Sequence, residues 1–184
     1  MAIISIPAKQ IRTSEINEVR SIATGIGIDY ERWENLHEIS ADASDQEILD
    51  GFSDEIKSLV ERGCYVTADV INVVPTTPGL GEMLAKFNKE HWHDDDEVRF
   101  IVKGRGLFHI APEGGDVVAI EMEAGDLIRV PAGTLHWFDL CGEQTIRAIR
   151  LFKDMSGWTP RYTDSGVDTA YQPLCFGTYY LPAS

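Results

Sequence analysis

The apolar residues in the first third of the chain recur mainly at the spacing of three and four that gathers side chains on one face of a helix. Thr13 or Ser14 can cap a first helix. This helix is predicted to run to about Ala23, with Gly25 and Gly27 ending it.

A capping box predicts the start of a second helix. Ser44 and Glu47 stand three positions apart, so the hydroxyl and the carboxylate can each satisfy a free amide at a helix start. The helix is predicted to end at Gly63. Its apolar side chains have helical spacing and are Ile48, Leu49, Phe52, Ile56, Leu59 and Val60. Residues 28–33 alternate like a short strand, and residues 1–63 as a whole are predicted to form a helical N-terminal part.

From residue 64 the pattern changes to short runs of β-branched and aromatic residues, separated by Gly and Pro. The predicted strands are 65–74, 97–102, 106–111, 117–122, 126–130, 136–140 and 147–152. Many short strands with regular turn signals are typical of a β-sandwich or barrel. We therefore predict a mainly β protein with N-terminal helices and a barrel core at 64–152. Residues 153–184 lack periodicity and are predicted to form an irregular tail over the barrel.

The composition narrows the class of protein. A chain of 184 residues is expected to form a single domain, residues 1–184. Its net charge of −14 argues against nucleic acid and anionic membrane surfaces as partners. We expect no signal peptide and no membrane-spanning segment, and hence a cytoplasmic protein.

The three cysteines, Cys64, Cys141 and Cys175, are an odd number at wide spacing. They form neither a zinc knuckle nor a CxxC pair. We predict unpaired thiols, which fits a reducing compartment.

Two short motifs carry the candidate chemistry. His91, His93 and Glu97 form an H-x-H-x3-E cluster, and His136 ends a second, turn-rich motif. Three imidazoles and one carboxylate form a mixed donor set that suits a divalent transition metal such as Fe, Ni, Mn or Co. On an octahedral ion, four protein ligands leave two positions open for a chelating substrate.

Strand geometry predicts how these residues point. Side chains two apart share a face, so Glu97 and Arg99 should point together, as should His91 and His93. The opposite face is predicted to hold the apolar side chains Val98, Phe100 and Val102.

A histidine beside acidic residues is most often a solvated surface group, and residues 94–96 would then be a polar turn. However, three of the five histidines fall within these two motifs at spacings that fit ligation. His37 and His109 lack such neighbours and are assigned structural or surface roles.

The two motifs resemble the paired motifs of the cupin superfamily. They read His91-x-His93-x3-Glu97-x6-Gly104 and Gly125-x5-Pro131-x-Gly133-x2-His136. Two positions depart from the cupin pattern, Ala85 in place of Gly and Leu140 in place of Asn. Neither is a ligand position. The resemblance implies a cupin barrel, a double-stranded β-helix or jelly roll.

The flanking residues resemble one cupin family, the acireductone dioxygenases. The similar segments are 27–33, 87–100, 126–139, 148–152 and 157–158, within a similarity that covers about residues 25–165. The resemblance implies a metal-dependent enzyme of methionine salvage that cleaves 1,2-dihydroxy-3-keto-5-methylthiopentene with O2. With Fe(II) this family yields formate and 4-methylthio-2-oxobutanoate. With Ni(II) it yields formate, carbon monoxide and 3-methylthiopropanoate.

The resemblance also implies residue roles. Arg99 would stabilise the substrate dianion, although an ion pair with Asp96 or Glu97 is the structural alternative. Glu90 and Asp96, which flank the ligands, would act in metal incorporation and in relaying local structural change, and a polar surrounding for the ligands explains them nearly as well.

An apolar pocket for the methylthio tail would be lined by Phe87, Phe138 and Trp158, with Arg150 as a second cation nearby. Core packing is the alternative role for these aromatic residues. Trp92 and Trp137, each next to a ligand, should face away from the metal because strand side chains alternate.

One Fe(II) or Ni(II) ion per chain is expected, with acireductone and O2 as partners of a monomeric protein. Two other classes of protein remain open. Another cupin enzyme, such as a sugar isomerase or a quercetinase, would share the ligands but would not require the flanking residues. A ligand-binding or storage cupin could lose ligands without consequence, yet all four are present.

Overall fold

The computed structural model describes residues 1–33, 40, 42–154 and 158–177. The helices within them are α1 (Ile16–Gly25), α2 (Asp45–Gly51), α3 (Ser53–Gly63) and α4 (Leu80–Leu84). The first strands are β1 (Ile3–Ile6), β2 (Ile11–Thr13), β3 (Asp29–Arg32), β4 (Thr67–Val73), β5 (His91–Trp92) and β6 (Glu97–Ile110). The remaining strands are β7 (Val118–Glu123), β8 (Asp126–Val130), β9 (His136–Leu140), β10 (Ile146–Phe152) and β11 (Arg161–Tyr162). None of the described helices has the length and apolar character needed to cross a membrane.

The strands form an antiparallel sheet folded into two walls that share β6. The first wall has the order β2-β1-β7-β6-β9-β5-β11, and the second has the order β4-β10-β6-β8-β3. Residues 97–103 of β6 pair with β8 and β10, whereas residues 105–110 pair with β7 and β9. The mainly β fold class predicted from the sequence, a cupin barrel with N-terminal helices, is confirmed.

Gly104 lies where β6 passes from one wall to the other. The sequence predicted two strands here, at 97–102 and 106–111, but they are one continuous strand. Gly104 has a φ of +80°, and a Cβ at this position would lie 1.9 Å from the carbonyl oxygen of Thr145. Only glycine accommodates both the left-handed backbone and the close approach of the neighbouring chain.

The apolar core lies between the two walls. Both walls contribute buried aliphatic and aromatic side chains, among them Ile4, Ile101, Phe108, Ile120, Ile128, Phe138 and Ala148. The alternation of side chains along the strands directs these residues inward.

The outer face of the second wall is covered by α2 and α3. Val98, Phe100 and Val102 point to this side, as predicted, and pack in a second apolar cluster. Phe100 contacts Trp33 and Phe52, with ring centroids 4.3 and 4.8 Å away. The helices therefore allow β6 to be apolar on this face while its other face carries polar side chains.

The segment before residue 64 is less helical than predicted. It contains the predicted strand β3 but also β1 and β2, which the pattern missed. Three isoleucines of β1 are buried, on both faces of the strand, so alternation is absent from its sequence.

Helix ends also differ from the prediction. Glu15, rather than Thr13 or Ser14, caps α1 by accepting hydrogen bonds from the amides of Asn17 and Glu18. The capping box of Ser44 is present as predicted, but the helix that it opens breaks at Phe52 into α2 and α3.

The C-terminal residues 158–177 begin beside Arg99, pass along the edge of the first wall as β11 and continue onto its outer face. They hold the short strand β11 and a 3₁₀ turn at Val167–Ala170, and Cys175 forms a disulfide bond with Cys141. The prediction of three unpaired thiols is therefore wrong, and only Cys64 is free. The two bonded cysteines are 34 residues apart, so their proximity arises from the path of the tail and not from a local motif.

Asp139 of β9 lies half-buried on this outer face. Burial, and next the negative charge of Asp168 in the tail, raise the pKa of Asp139 to about 6. The folded state therefore binds this proton more tightly than the unfolded chain does, and stability is lost as the pH rises through this range.

We expect Asp139→Asn to stabilise the protein above pH ~6 by about 1 kcal/mol, after allowance for partial exposure of the carboxyl group. Near pH ~4 the gain should vanish, because the aspartic acid is then largely protonated in the folded state. Urea unfolding at the two pH values measures the difference, with the exposed Glu113→Gln as a control. An equal gain at both pH values would show that the charge of Asp139 is not the cause.

Candidate metal centre

Three strands bring the four predicted ligands together at one end of the barrel. His91 begins β5, His93 follows that strand, Glu97 begins β6 and His136 begins β9. His91 and His136 are direct partners in the β5–β9 pair. The potential ligand atoms of all four side chains lie within 4.8 Å of one another, and all four residues are buried.

Backbone carbonyl groups set the orientation of each imidazole. The Nδ1 atoms lie 2.6 to 3.0 Å from carbonyl oxygens, His91 from Lys89, His93 from Thr159 and His136 from Thr134. A carbonyl oxygen can only accept a hydrogen bond, so each Nδ1 carries the proton. In the neutral form of each imidazole, Nε2 then carries no proton and can bind a metal.

The inner atoms of the cluster lack partners of the opposite kind. Glu97 Oε2 lies 3.2 Å from Nε2 of both His93 and His136. With Nδ1 protonated, these contacts join acceptor to acceptor. Nε2 of His91, Nε2 of His93 and Oε1 of Glu97 are also buried without a hydrogen-bond partner. Buried acceptors in this arrangement are costly alone, and a cation among them satisfies them together.

The protonation states favour a metal. Burial, and next the neighbouring His136, lower the pKa of His91 to about 4, so this imidazole is neutral near pH 7. Burial by itself would raise the pKa of Glu97, but the positive charge of the adjacent Arg99 outweighs it and holds that pKa well below its ordinary value. Neutral imidazole and ionised carboxylate are the forms that bind metal ions.

The donor set determines the class of metal. Mg²⁺ and Ca²⁺ prefer oxygen ligands alone, whereas three imidazoles and one carboxylate suit divalent transition metals. The residues therefore support a divalent metal at this cluster.

Arg99 lies on the same face of β6 as Glu97 and is almost completely buried. Its Nε is 2.5 Å from Glu97 Oε1, but the N–H is not directed at the oxygen, so the contact is an ion pair without hydrogen-bond geometry. Aromatic rings surround its guanidinium carbon, with centroids at 4.7 Å (Phe138), 5.4 Å (Trp158), 5.7 Å (Phe108) and 6.0 Å (Phe87). Three of these four rings belong to the predicted pocket residues, and the structure gathers them around a buried cation.

Arg150, the fourth predicted pocket residue, pairs with Arg99 across β10 and β6. Its guanidinium donates hydrogen bonds of 2.9 and 2.7 Å to the carboxylate of Asp69. It also lies 5.7 Å from the Trp158 ring. Arg150 thus links the aromatic cluster to the second wall with its charge already paired.

Residues 94–96 are not simply a solvated polar turn. Asp94 is exposed, but Asp96 is buried. Groups within 3.2 Å of the Asp96 carboxylate are the Tyr65 hydroxyl, the Arg129 guanidinium, the Ala132 amide and the Lys153 ammonium. Burial would raise the pKa of Asp96, but these groups lower it below its ordinary value. The engaged carboxylate fixes the turn that leads into Glu97.

Glu90 is buried beside His91 and is held from the tail. Its carboxylate accepts hydrogen bonds from the hydroxyl groups of Thr163 and Ser165, the latter at 2.5 Å. The sequence interpretation missed Thr163 and Ser165, and it also missed Thr159, whose carbonyl orients His93. No sequence signal identified them, because any residue type can supply a backbone carbonyl and the tail shows no periodic pattern.

Trp92, Trp137 and His109 lie outside the cluster. Trp137 points to the outer face of the first wall and stacks on His109 at 4.8 Å. Trp92 lies 5.4 Å from the guanidinium of Arg161. His109 is thus a buried packing residue, whereas His37 lies outside the described residues.

Comparisons with known proteins identify the family to which this metal-binding chain belongs. The sequence profile of the ARD/ARD' family matches residues 7–160. Acireductone dioxygenase of Parvibaculum lavamentivorans is 40% identical over 154 residues, covering 84% of this chain and 83% of that protein. Acireductone dioxygenase of Methylococcus capsulatus is 42% identical over 149 residues, covering 81% and 80%.

A solved structure is also similar. Acireductone dioxygenase from Bacillus anthracis, with a cadmium ion in its active centre, superposes with a TM-score of 0.83 at 38% identity. The match covers 88% of this chain and 98% of that one. Fold and site together define a metal-binding cupin. Within that class, this chain belongs to the ARD/ARD' family of acireductone dioxygenases.

We expect His93→Ala to lower the affinity for Ni(II) by more than about 100-fold, beyond the loss typical for removal of an outer partner of a ligand. Isothermal titration with nickel at neutral pH measures it. The matched control is His109→Gln, which changes a buried histidine outside the cluster and should leave nickel binding unchanged. Nickel binding of wild-type strength in the His93 variant would remove this residue from the ligand set.

Proposed function

We propose that this protein is a metal-dependent dioxygenase that cleaves acireductone, 1,2-dihydroxy-3-keto-5-methylthiopentene, with O2. The observation that carries this function is the buried cluster of His91, His93, Glu97 and His136 directly beside Arg99, in a chain of this family. A buried cation next to an anionic metal ligand suits a substrate that binds as an anion.

Fe(II) and Ni(II) are the metals we propose, one ion per chain. With Fe(II) the products would be formate and 4-methylthio-2-oxobutanoate, and with Ni(II) formate, carbon monoxide and 3-methylthiopropanoate. The same donor set accepts both ions, so metal supply would decide the products.

The roles of the side chains follow from charge and position. A divalent metal held by the four ligands would supply Lewis-acid chemistry and leave positions for two oxygens of the substrate. Arg99 would stabilise the negative charge of the enediol, since a fixed cation lowers the pKa of nearby hydroxyl groups. Burial lowers the pKa of Arg99, yet an arginine beside the carboxylate of Glu97 stays protonated at neutral pH.

The aromatic residues around Arg99 would receive the rest of the substrate. Phe87, Phe138 and Trp158 present apolar surface that suits a methylthio tail. Arg150 would support this wall through its contact with Trp158 while its own charge is paired with Asp69.

Glu90 and Asp96 would position the ligands without touching the substrate. Asp96 accepts a hydrogen bond from the Ala132 amide, which joins the turn before Glu97 to the loop that leads to His136. Its backbone carbonyl also accepts a hydrogen bond of 3.1 Å from the Trp158 indole. The ligand turns and the substrate wall are therefore held by one residue.

Reconstitution of the metal-free protein tests the proposed activity. The protein is loaded anaerobically with Fe(II) or Ni(II), acireductone and O2 are added, and the products are identified. Keto acid and formate with Fe(II), and carbon monoxide with Ni(II), are expected. Substrate loss no faster than the spontaneous rate with both metals would contradict the activity, although the metal site would stand.

Arg99→Ala should retain the metal but slow turnover by about 100- to 1000-fold, the loss typical when one group that stabilises developing negative charge is removed. Arg99→Lys, which keeps the charge, should recover part of the rate. Metal content and the rate of acireductone consumption are measured on the same samples. An unchanged rate in Arg99→Ala would mean that this residue serves only as an ion-pair partner of Glu97.

A further inference from the structure

The disulfide bond joins the barrel to the C-terminal segment, which contacts the metal ligands from outside. We call residues 158–177 the C-terminal strap. Its far end is fixed by the bond between Cys175 and Cys141 and by hydrogen bonds from the amides of Phe176 and Gly177 to buried Glu121. The sequence profile of the family ends at residue 160, so most of the strap lies beyond it.

The near end of the strap contacts two of the four ligand positions and the neighbour of one of them. The carbonyl of Thr159 orients His93, and Tyr162 pairs with His91 across β11 and β5. Thr163 and Ser165 hold Glu90, the neighbour of His91.

Further along the strap, Tyr171 packs on Trp137, whose neighbour is His136, with ring centroids 5.8 Å apart. The strap therefore carries one cysteine of the disulfide bond at its far end and contacts the surroundings of the metal ligands along its length.

We propose that the Cys141–Cys175 pair is a reversible redox site, reduced by dithiols, and that its reduction loosens the strap and speeds loss of the metal. This role depends on the metal site proposed above. Its physical basis is that orienting partners of metal ligands determine how tightly the ion is held. The strap supplies such partners, and the disulfide bond is the covalent anchor of its far end.

Accessibility determines how the bond is opened. Cys141 is fully buried, whereas Cys175 is partly exposed, so a thiolate of the dithiol attacks the Cys175 sulfur. The bond to the Cys141 sulfur breaks and its electron pair stays on Cys141. The second sulfur of the dithiol then displaces Cys175, and the dithiol becomes a disulfide.

The surroundings of the two sulfur atoms determine where the protons of the dithiol end. A carboxylate oxygen of Glu121 lies within 4.8 Å of both sulfurs, which disfavours a thiolate at buried Cys141. The two protons of the dithiol therefore end on Cys141 and Cys175 as thiols. Exchange with a small-molecule disulfide reverses the step and restores the bond.

Nickel release measures the coupling without any substrate. Protein treated with oxidised glutathione, and protein reduced by dithiothreitol and then desalted under nitrogen, are loaded with Ni(II) and mixed with an excess of a chromogenic chelator. We expect one free thiol in the oxidised form and three in the reduced form. Nickel release should be about tenfold faster in the reduced form, the lower end of the effect of losing an outer partner of a ligand.

Two variants control for the identity of the thiol. Cys175→Ser should release nickel quickly without any reductant, and its fold is checked by circular dichroism. Cys64→Ser removes the free, exposed cysteine and should retain the full difference between the two states. Equal release from oxidised and reduced wild-type protein, or three free thiols after oxidation, would overturn the redox role.

A second pair of substitutions tests the path through Glu90. In Thr163→Val combined with Ser165→Ala, nickel release should be fast in both redox states, because the strap no longer holds Glu90. A difference as large as in wild type would show that the disulfide does not act through these hydroxyl groups.

Protein that binds no nickel would contradict the metal site and the redox role together, whereas failure to turn over acireductone would leave the nickel result standing.

Discussion

The constraint on which this structure depends is the burial of several hydrogen-bond acceptors around one point. Glu97 and three imidazole Nε2 atoms face each other within a few ångströms, and none of them brings a proton of its own. Such a cluster is stable only around a cation, and only if a hydrogen bond at Nδ1 fixes the orientation of each imidazole ring. The carbonyl groups behind the imidazoles and Arg99 beside Glu97 supply that support.

The shared strand β6 carries both the chemistry and the packing. Glu97 and Arg99 face the barrel, while Val98 and Phe100 face the helices on the outside. Covering the outer face with α2 and α3 allows two adjacent charged residues to be buried on the inner one. Gly104 then lets the same strand enter the second pairing, which links the site to the far half of the barrel.

The C-terminal strap completes the site from outside the barrel motifs. It holds Glu90 and orients His93, and it is tied to β9 and β7 by a disulfide bond and by the carboxylate of Glu121. A barrel of this kind can therefore keep its ligand motifs unchanged while the chain beyond them adjusts how firmly the metal is held.

The sequence alone determined the strand-rich fold, the inward and outward faces of β6, and the four ligands, since those depend on residue types at short, regular spacing. It did not reveal that β1 and β2 are strands, that Asp96 is buried, or that Cys141 bonds to Cys175. These features arise when segments far apart in the chain meet. Burial on both faces removes alternation from a strand, and neither a carbonyl partner nor a distant sulfur leaves a local pattern, so only the tertiary structure decided them.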